Sequence, residues 1–93
     1  MAIAVMADTP GVTAEQFEAM QGQLNLMVEP PRGGLAQLAG PVGGSWRVIT
    51  VWESQEAWDA FRRDRLEPAF QRLGMPAPQF QVWPIHSMMT SPR

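Results

Sequence analysis

Hydrophobic positions change their period once, sharply, between Ser45 and Leu73. From Trp46 to Glu53 they alternate, with Trp46, Val48, Thr50 and Trp52 on one side and Arg47, Ile49, Val51 and Glu53 on the other. Side chains alternate across a strand, and a half-buried strand keeps one face polar. Here the second face is also apolar at its middle, through Ile49 and Val51, which predicts a central strand covered on both sides. In so short a chain the intrachain helices suffice for one face. The other calls for a second copy of the protein. Because both faces are apolar, the pattern leaves open whether Trp46 or Ile49 turns toward the helices, and a slip of one residue swaps them.

The period then becomes helical. Ser54 is an N-cap and Glu56 sits in the first turn. Ala57, Trp58 and Phe61 make one apolar face, while Leu66, Ala69, Phe70 and Leu73 make another, rotated by about a third of a turn at 100° per residue. Pro68, which has no N–H and whose ring clashes with residue 64, predicts two helical pieces, Gln55 to Asp64 and Leu66 to Leu73, with a break between them. Gly74 closes the second piece.

The flanking elements follow the same logic. Ala2 to Ala7 reads as a strand stopped by the turn formers Asp8-Thr9-Pro10-Gly11. Thr13 and Gln16 form a capping box, and Phe17, Met20, Leu24 and Met27 line one face of the helix behind it. Glu29 to Gly34 is a Pro/Gly loop, Leu35 to Ala39 a short strand, and Gly40 to Gly44 a turn into the Trp46 strand. Gln79 to Ile85 is the last strand, placed at an edge by Trp83-Pro84. Residues 87–93 form a tail on a domain spanning 1–93. The order β, α, β, β, α (broken), β predicts an α+β, ferredoxin-like βαββαβ fold with a four-stranded antiparallel sheet and both helices on one face.

Composition narrows the chemistry. The 93 residues include no Cys and no Tyr, one His, and seven cationic side chains that are all Arg. Thiolate chemistry, disulfides, lysine Schiff bases and a multi-histidine metal site are therefore excluded within one chain. The glycines at 40–44 precede a strand, without the Lys-Ser or Lys-Thr of a phosphate loop. Charged residues make up 17% of the chain, below the roughly 25% usual in soluble proteins, which again favours an oligomer. A net charge of −2 without a basic block carries no nucleic-acid footprint. No apolar run spans a bilayer, and MAIAVMAD reads as a strand with no features of a signal peptide, so the expected location is cytoplasmic and away from membranes.

The run from Gly43 to Phe70, G-G-S-W-R-V-I-T-V-W-E-S-Q-E-A-W-D-A-F and then R-L-E-P-A-F, with a Gly-Met-Pro turn after it, resembles the antibiotic-biosynthesis monooxygenase-like family. That resemblance implies a dimeric α+β barrel, in which two ferredoxin-like sheets pair and each protomer keeps a pocket between its sheet and helices. It also implies a small apolar, aromatic or polyketide-like ligand and, in some members, oxidation by O₂ without any cofactor. The Tyr and Asn groups tied to that activity have no counterpart here. Haem-degrading relatives use an Asn on the first strand with a Trp and a His ligand, whereas Asp8 ends the first strand here and the only Asn is Asn25, so haem chemistry is disfavoured.

The candidate ligand-binding residues are Trp52, Trp58, Phe61 and Arg65. Trp52 and Trp58 stand six residues apart across the strand-to-helix corner, where their rings either converge on a pocket or simply fill the core. Arg62, Arg63 and Arg65 lie among Asp59, Asp64 and Glu67, a set that reads as a mutually paired solvated face. A sharper reading makes Arg65 an anion contact at the cavity mouth. His86, with an unperturbed pKa of about 6.5, is the candidate catalytic proton acceptor, although a lone His after a strand is more often a surface group. Arg47 and Glu53 share a strand face on which they can pair. Two functions remain: a homodimeric, cofactor-independent monooxygenase or isomerase, or a non-catalytic ligand-binding or stress-associated dimer.

Overall fold

The computed structural model describes residues 1–91. Four strands, β1 (Ile3–Pro10), β2 (Gly34–Val42), β3 (Ser45–Trp52) and β4 (Phe80–Pro84), form one antiparallel sheet in the order β2-β3-β1-β4. Helix α1 (Ala14–Leu24) follows β1. A second helical stretch follows β3 and consists of α2 (Gln55–Phe61), a π-helical segment (Arg62–Leu66) and α3 (Glu67–Leu73). This is the ferredoxin-like arrangement that the element order predicts.

Register settles which way β3 faces. Trp52, Thr50, Val48 and Trp46 lie opposite Ile3, Val5, Ala7 and Thr9 of β1. Ile3, Val5 and Ala7 are buried, and Ile3, Val5 and Trp52 share a core with Met20 and Leu24 of α1 and with Trp58 and Phe70. The Trp46 face therefore turns inward, and Arg47, Ile49 and Val51 turn away from the helices with Met6 and Asp8.

The helical stretch does not break at Pro68. The wide turn before it does the work instead: the Glu67 N–H donates to the Arg62 carbonyl, five residues back. On a regular α-helical wheel Leu66 would sit about 140° from Phe61. A turn with i→i+5 bonding brings the two within about 50°. Phe61 and Leu66 are both buried as a result, and the two apolar faces of the sequence become one.

Several boundaries move outward or inward for local reasons. β1 runs on through Asp8, Thr9 and Pro10, because β4 pairs only with Ile3–Ala7 and leaves Pro10 no donor to supply on that side. β2 extends to Val42 because it is an edge strand, where Pro41 is tolerated. Its turn into β3 shrinks to Gly43-Gly44, with Gly43 at φ 59°. The Thr13–Gln16 capping box is present, but Asn25 in the left-handed region ends α1 a turn early. Met27, expected on the helix face, is 96% exposed. Of the expected tail, Ser87 to Ser91 holds no helix or strand, and residues 92 and 93 lie outside the described residues. Among the described residues no helix is long and apolar enough to cross a membrane.

Candidate functional site

The inward face of β3 reads large, small, small, large: Trp46, Val48, Thr50, Trp52. Beside its middle, β1 contributes only Val5 and Ala7. Two bulky ends and a shallow centre cannot be filled by the helices packed above. A cavity of about 500 Å³ opens there, between the sheet and the helices, with Phe17, Met20 and Leu24 of α1 among its walls. At one end Phe17 and Trp46 pair with ring centroids 5.4 Å apart. At the other, Trp52 lies 5.7 Å from Trp58 and 4.9 Å from Phe61, and Phe80 meets Trp58 edge-on at 5.0 Å.

The cavity is neutral. Its described lining contains threonines, glutamines, methionines, aliphatics and aromatics, and no Asp, Glu, His or Arg. Polar features are few. The Trp52 Nε1–H donates to Thr50 Oγ1 at 2.8 Å, and the Thr9 hydroxyl donates to the Trp46 carbonyl at 2.8 Å. Gln21 of α1 donates to Gln37 of β2 at 3.1 Å, linking helix to sheet within the lining. Trp46 Nε1 and Trp58 Nε1 are buried and have no acceptor among the described residues. A buried donor without a partner costs about 1–3 kcal/mol, and native structures keep few of them.

No protein-family model and no curated protein matches the chain. Solved structures are similar in fold. SnoaB, a cofactor-independent oxygenase from Streptomyces nogalater, shares 14% identity over 97% of either chain with a TM-score of 0.67. A protein of Caulobacter crescentus CB15, provisionally described as an antibiotic biosynthesis monooxygenase, shares 21% identity over 88% of this chain and 87% of its own, at 0.65. MhuD, in a variant with two manganese protoporphyrin IX molecules bound per active site, shares 19% identity over 98% of this chain and all of its own (100%), at 0.67. The fold is that of the antibiotic biosynthesis monooxygenase-like proteins.

Within this monooxygenase-like fold, the structure brings Trp52, Trp58 and Phe61 together at one end of the cavity. Trp52 and Trp58 are each 2% exposed, so they both fill the core and line the space. Arg65 does not line it. Its Nη2 donates to the Leu24 carbonyl at 2.7 Å, and its guanidinium lies 5.6 Å from the centre of the Phe61 ring, fastening the π-helical segment to the end of α1. His86 is exposed beyond β4 and is also absent from the lining. Arg47 pairs with Asp8 and not with Glu53, through two hydrogen bonds of 2.7 and 2.9 Å across β1 and β3. The guanidinium holds the Asp8 carboxyl below its ordinary value. Arg62–Glu67 and Arg63–Asp64 pair on the surface as the sequence suggests.

The lining does not suit a haem. An iron takes an imidazole, thiolate or phenolate, and propionates call for cations. The described cavity offers methionines, which serve haem iron beside a histidine, but no imidazole, thiolate, phenolate or cation. Trp46 is the residue that sequence reasoning passed over as a site candidate. Its signal is the large-small-small-large spacing of β3, which becomes readable only once the inward face is known.

Proposed function

We propose that the protein binds a neutral apolar or aromatic small molecule, such as a polyketide-like ring system, in the cavity between its sheet and helices, and does so as a homodimer. The carrying observation is a cavity of about 500 Å³, within the usual range for small-molecule sites, whose lining among the described residues holds no ionisable group. Any charged ligand group would enter unpaired, at a cost of several kcal/mol. The homodimer is supported by the outer sheet face, where Met6, Ile49 and Val51 have no helix over them and Leu38 and Trp83 are 63% and 41% exposed. Contiguous apolar surface of this kind is unusual on a monomer.

A second reading is cofactor-independent oxygenation, favoured by the fold shared with SnoaB. An anthrone illustrates its balance: one O₂ converts the ring CH₂ to a carbonyl, and the second oxygen leaves as water with both methylene hydrogens. The substrate supplies all the electrons, so a dry cavity and a ready proton loss suffice. With no base in the lining, the substrate ionises unaided or His86 takes the proton from across the dimer. In the latter case His86→Ala abolishes turnover and spares binding; retained turnover removes His86 from the mechanism.

Flavone titration read by Trp emission, alongside oxygen uptake with anthrone, separates the readings. Saturable quenching without catalysed uptake leaves a binding module. Quenching with uptake makes an oxygenase. The absence of saturable quenching ends both.

A further inference from the structure

We infer that Gln21 and Gln37 form the polar anchor of the cavity, exchanging their mutual hydrogen bond for a carbonyl oxygen carried midway along a neutral ligand. The inference deepens the proposed function and rests on it. Gln37, Ala39 and Pro41 of β2 stand opposite Thr50, Val48 and Trp46 of β3 and therefore share the inward sheet face. All three are exposed nonetheless. The helices leave this side of the sheet uncovered, and solvent reaches the cavity wall at Gln37. Gln21 Nε2 reaches across from α1 to Gln37 Oε1 at 3.1 Å, and among the described residues no other hydrogen bond joins α1 to the sheet.

Exchange at this pair leaves the fold intact. The other polar side chains of the lining are committed to structure: the Thr9 hydroxyl donates to the Trp46 carbonyl, Gln16 Oε1 accepts the Thr13 N–H of the capping box, and Thr50 Oγ1 accepts the Trp52 indole N–H. The side chains of Gln21 and Gln37 hold only each other among the described residues. Two primary amides bring four N–H groups and their bond uses one, so three donors stay free; turning both amides over conserves that count. A carbonyl oxygen has two lone pairs and takes one N–H from each amide, replacing one bond by two. Both amides are neutral and the described lining holds no cation, so a ketone, quinone or lactone fits and a carboxylate does not. Position fixes where the carbonyl sits. Gln37 faces Thr50, with the Phe17–Trp46 pair toward one end of β3 and the Trp52–Trp58 pair at the other. The oxygen therefore belongs on the flank of the ligand, between two apolar ends.

Benzophenone and diphenylmethane make the test, since both join two phenyl rings through one carbon and only the first carries an oxygen there. Calorimetric titration gives the affinities, and the glutamine side-chain NH₂ signals are followed by ¹⁵N-resolved NMR. Benzophenone is expected to bind about fivefold more tightly, the worth of one additional hydrogen bond. The Gln21 and Gln37 signals should move with benzophenone and much less with diphenylmethane, while those of Gln71 and Gln81, outside the lining, stay. Replacing both residues together, Gln21→Leu with Gln37→Leu, should bring the ratio of the two affinities to about one. A single replacement would leave the other amide free to donate. The NMR arm uses the unaltered chain, so it decides the matter even if the double variant does not fold. Equal affinities without selective amide shifts, or a ratio that survives the double replacement, would overturn the inference and leave apolar binding standing. Saturable binding by neither probe would remove the binding reading and the inference together.

Discussion

Gly33 offers the sharpest quantitative test of how β2 is seated against α2. Its φ is +81°, and a Cβ built there would stand 2.6 Å from Ala57 Cβ and 3.0 Å from Glu53 Cγ. The Glu53 side chain can swing aside. Ala57 cannot, because it sits in the first turn of α2, where its N–H is held by the Ser54 hydroxyl at 3.1 Å. The Gly33 carbonyl also accepts the Glu53 N–H at 2.9 Å, so relieving the clash strains this corner. Gly33→Ala then combines about 1–2 kcal/mol for the left-handed backbone with about 1–3 kcal/mol for overpacking. Gly11 supplies the control: its φ is +77°, but nothing lies within 4 Å of the added Cβ. Gly11→Ala should cost the backbone part alone. Urea unfolding of both variants isolates the clash as their difference, expected at about 1–3 kcal/mol. The reasoning fails if Gly33→Ala is no less stable than Gly11→Ala.

Thr50→Val strips Trp52 Nε1 of its acceptor inside the core and should destabilise by about 1–3 kcal/mol in the same assay. Arg65→Met keeps an aliphatic stem over Phe61 but loses the bond to the Leu24 carbonyl; about 1–2 kcal/mol of unfolding free energy should go with it. Asp8 has its carboxyl held below the ordinary aspartate value of 3.8 by hydrogen bonding to Arg47, so the pair's contribution is complete above that value and is lost as pH falls below it. Denaturation of the wild type from neutral pH into acid should show a drop that Asp8→Asn lacks. On the outer sheet face, Leu38→Glu and Ile49→Glu should each convert a homodimer to monomer in light scattering, leaving the circular dichroism unchanged.

The fold was legible because its signals are local. Alternation marks β3, a capping box marks α1, and Pro-Gly runs mark the loops. The site was legible only in part. Trp52, Trp58 and Phe61 belong to one corner of the chain, so spacing brings them together. Trp46 gains its place from the register between β1 and β3, and two apolar faces hide that register. The π-helical segment was hidden for a similar reason: a phase change next to Pro68 looks like a break, and a wide turn achieves the same rotation with the helix intact. Arg65 and His86 were singled out for their chemistry alone. Packing gives Arg65 to a backbone carbonyl and leaves His86 outside the cavity.

The central claim is that the cavity accepts neutral molecules and refuses charged ones. Calorimetric titration with 4-ethylbiphenyl and biphenyl-4-carboxylate at neutral pH tests it most directly, since the two share a ring system and differ in charge. The account predicts saturable binding of the hydrocarbon and affinity for the carboxylate weaker by about a hundredfold or more, the cost of an unpaired buried charge. Equal or tighter binding of the carboxylate would mean that a cation serves the site, and would contradict it.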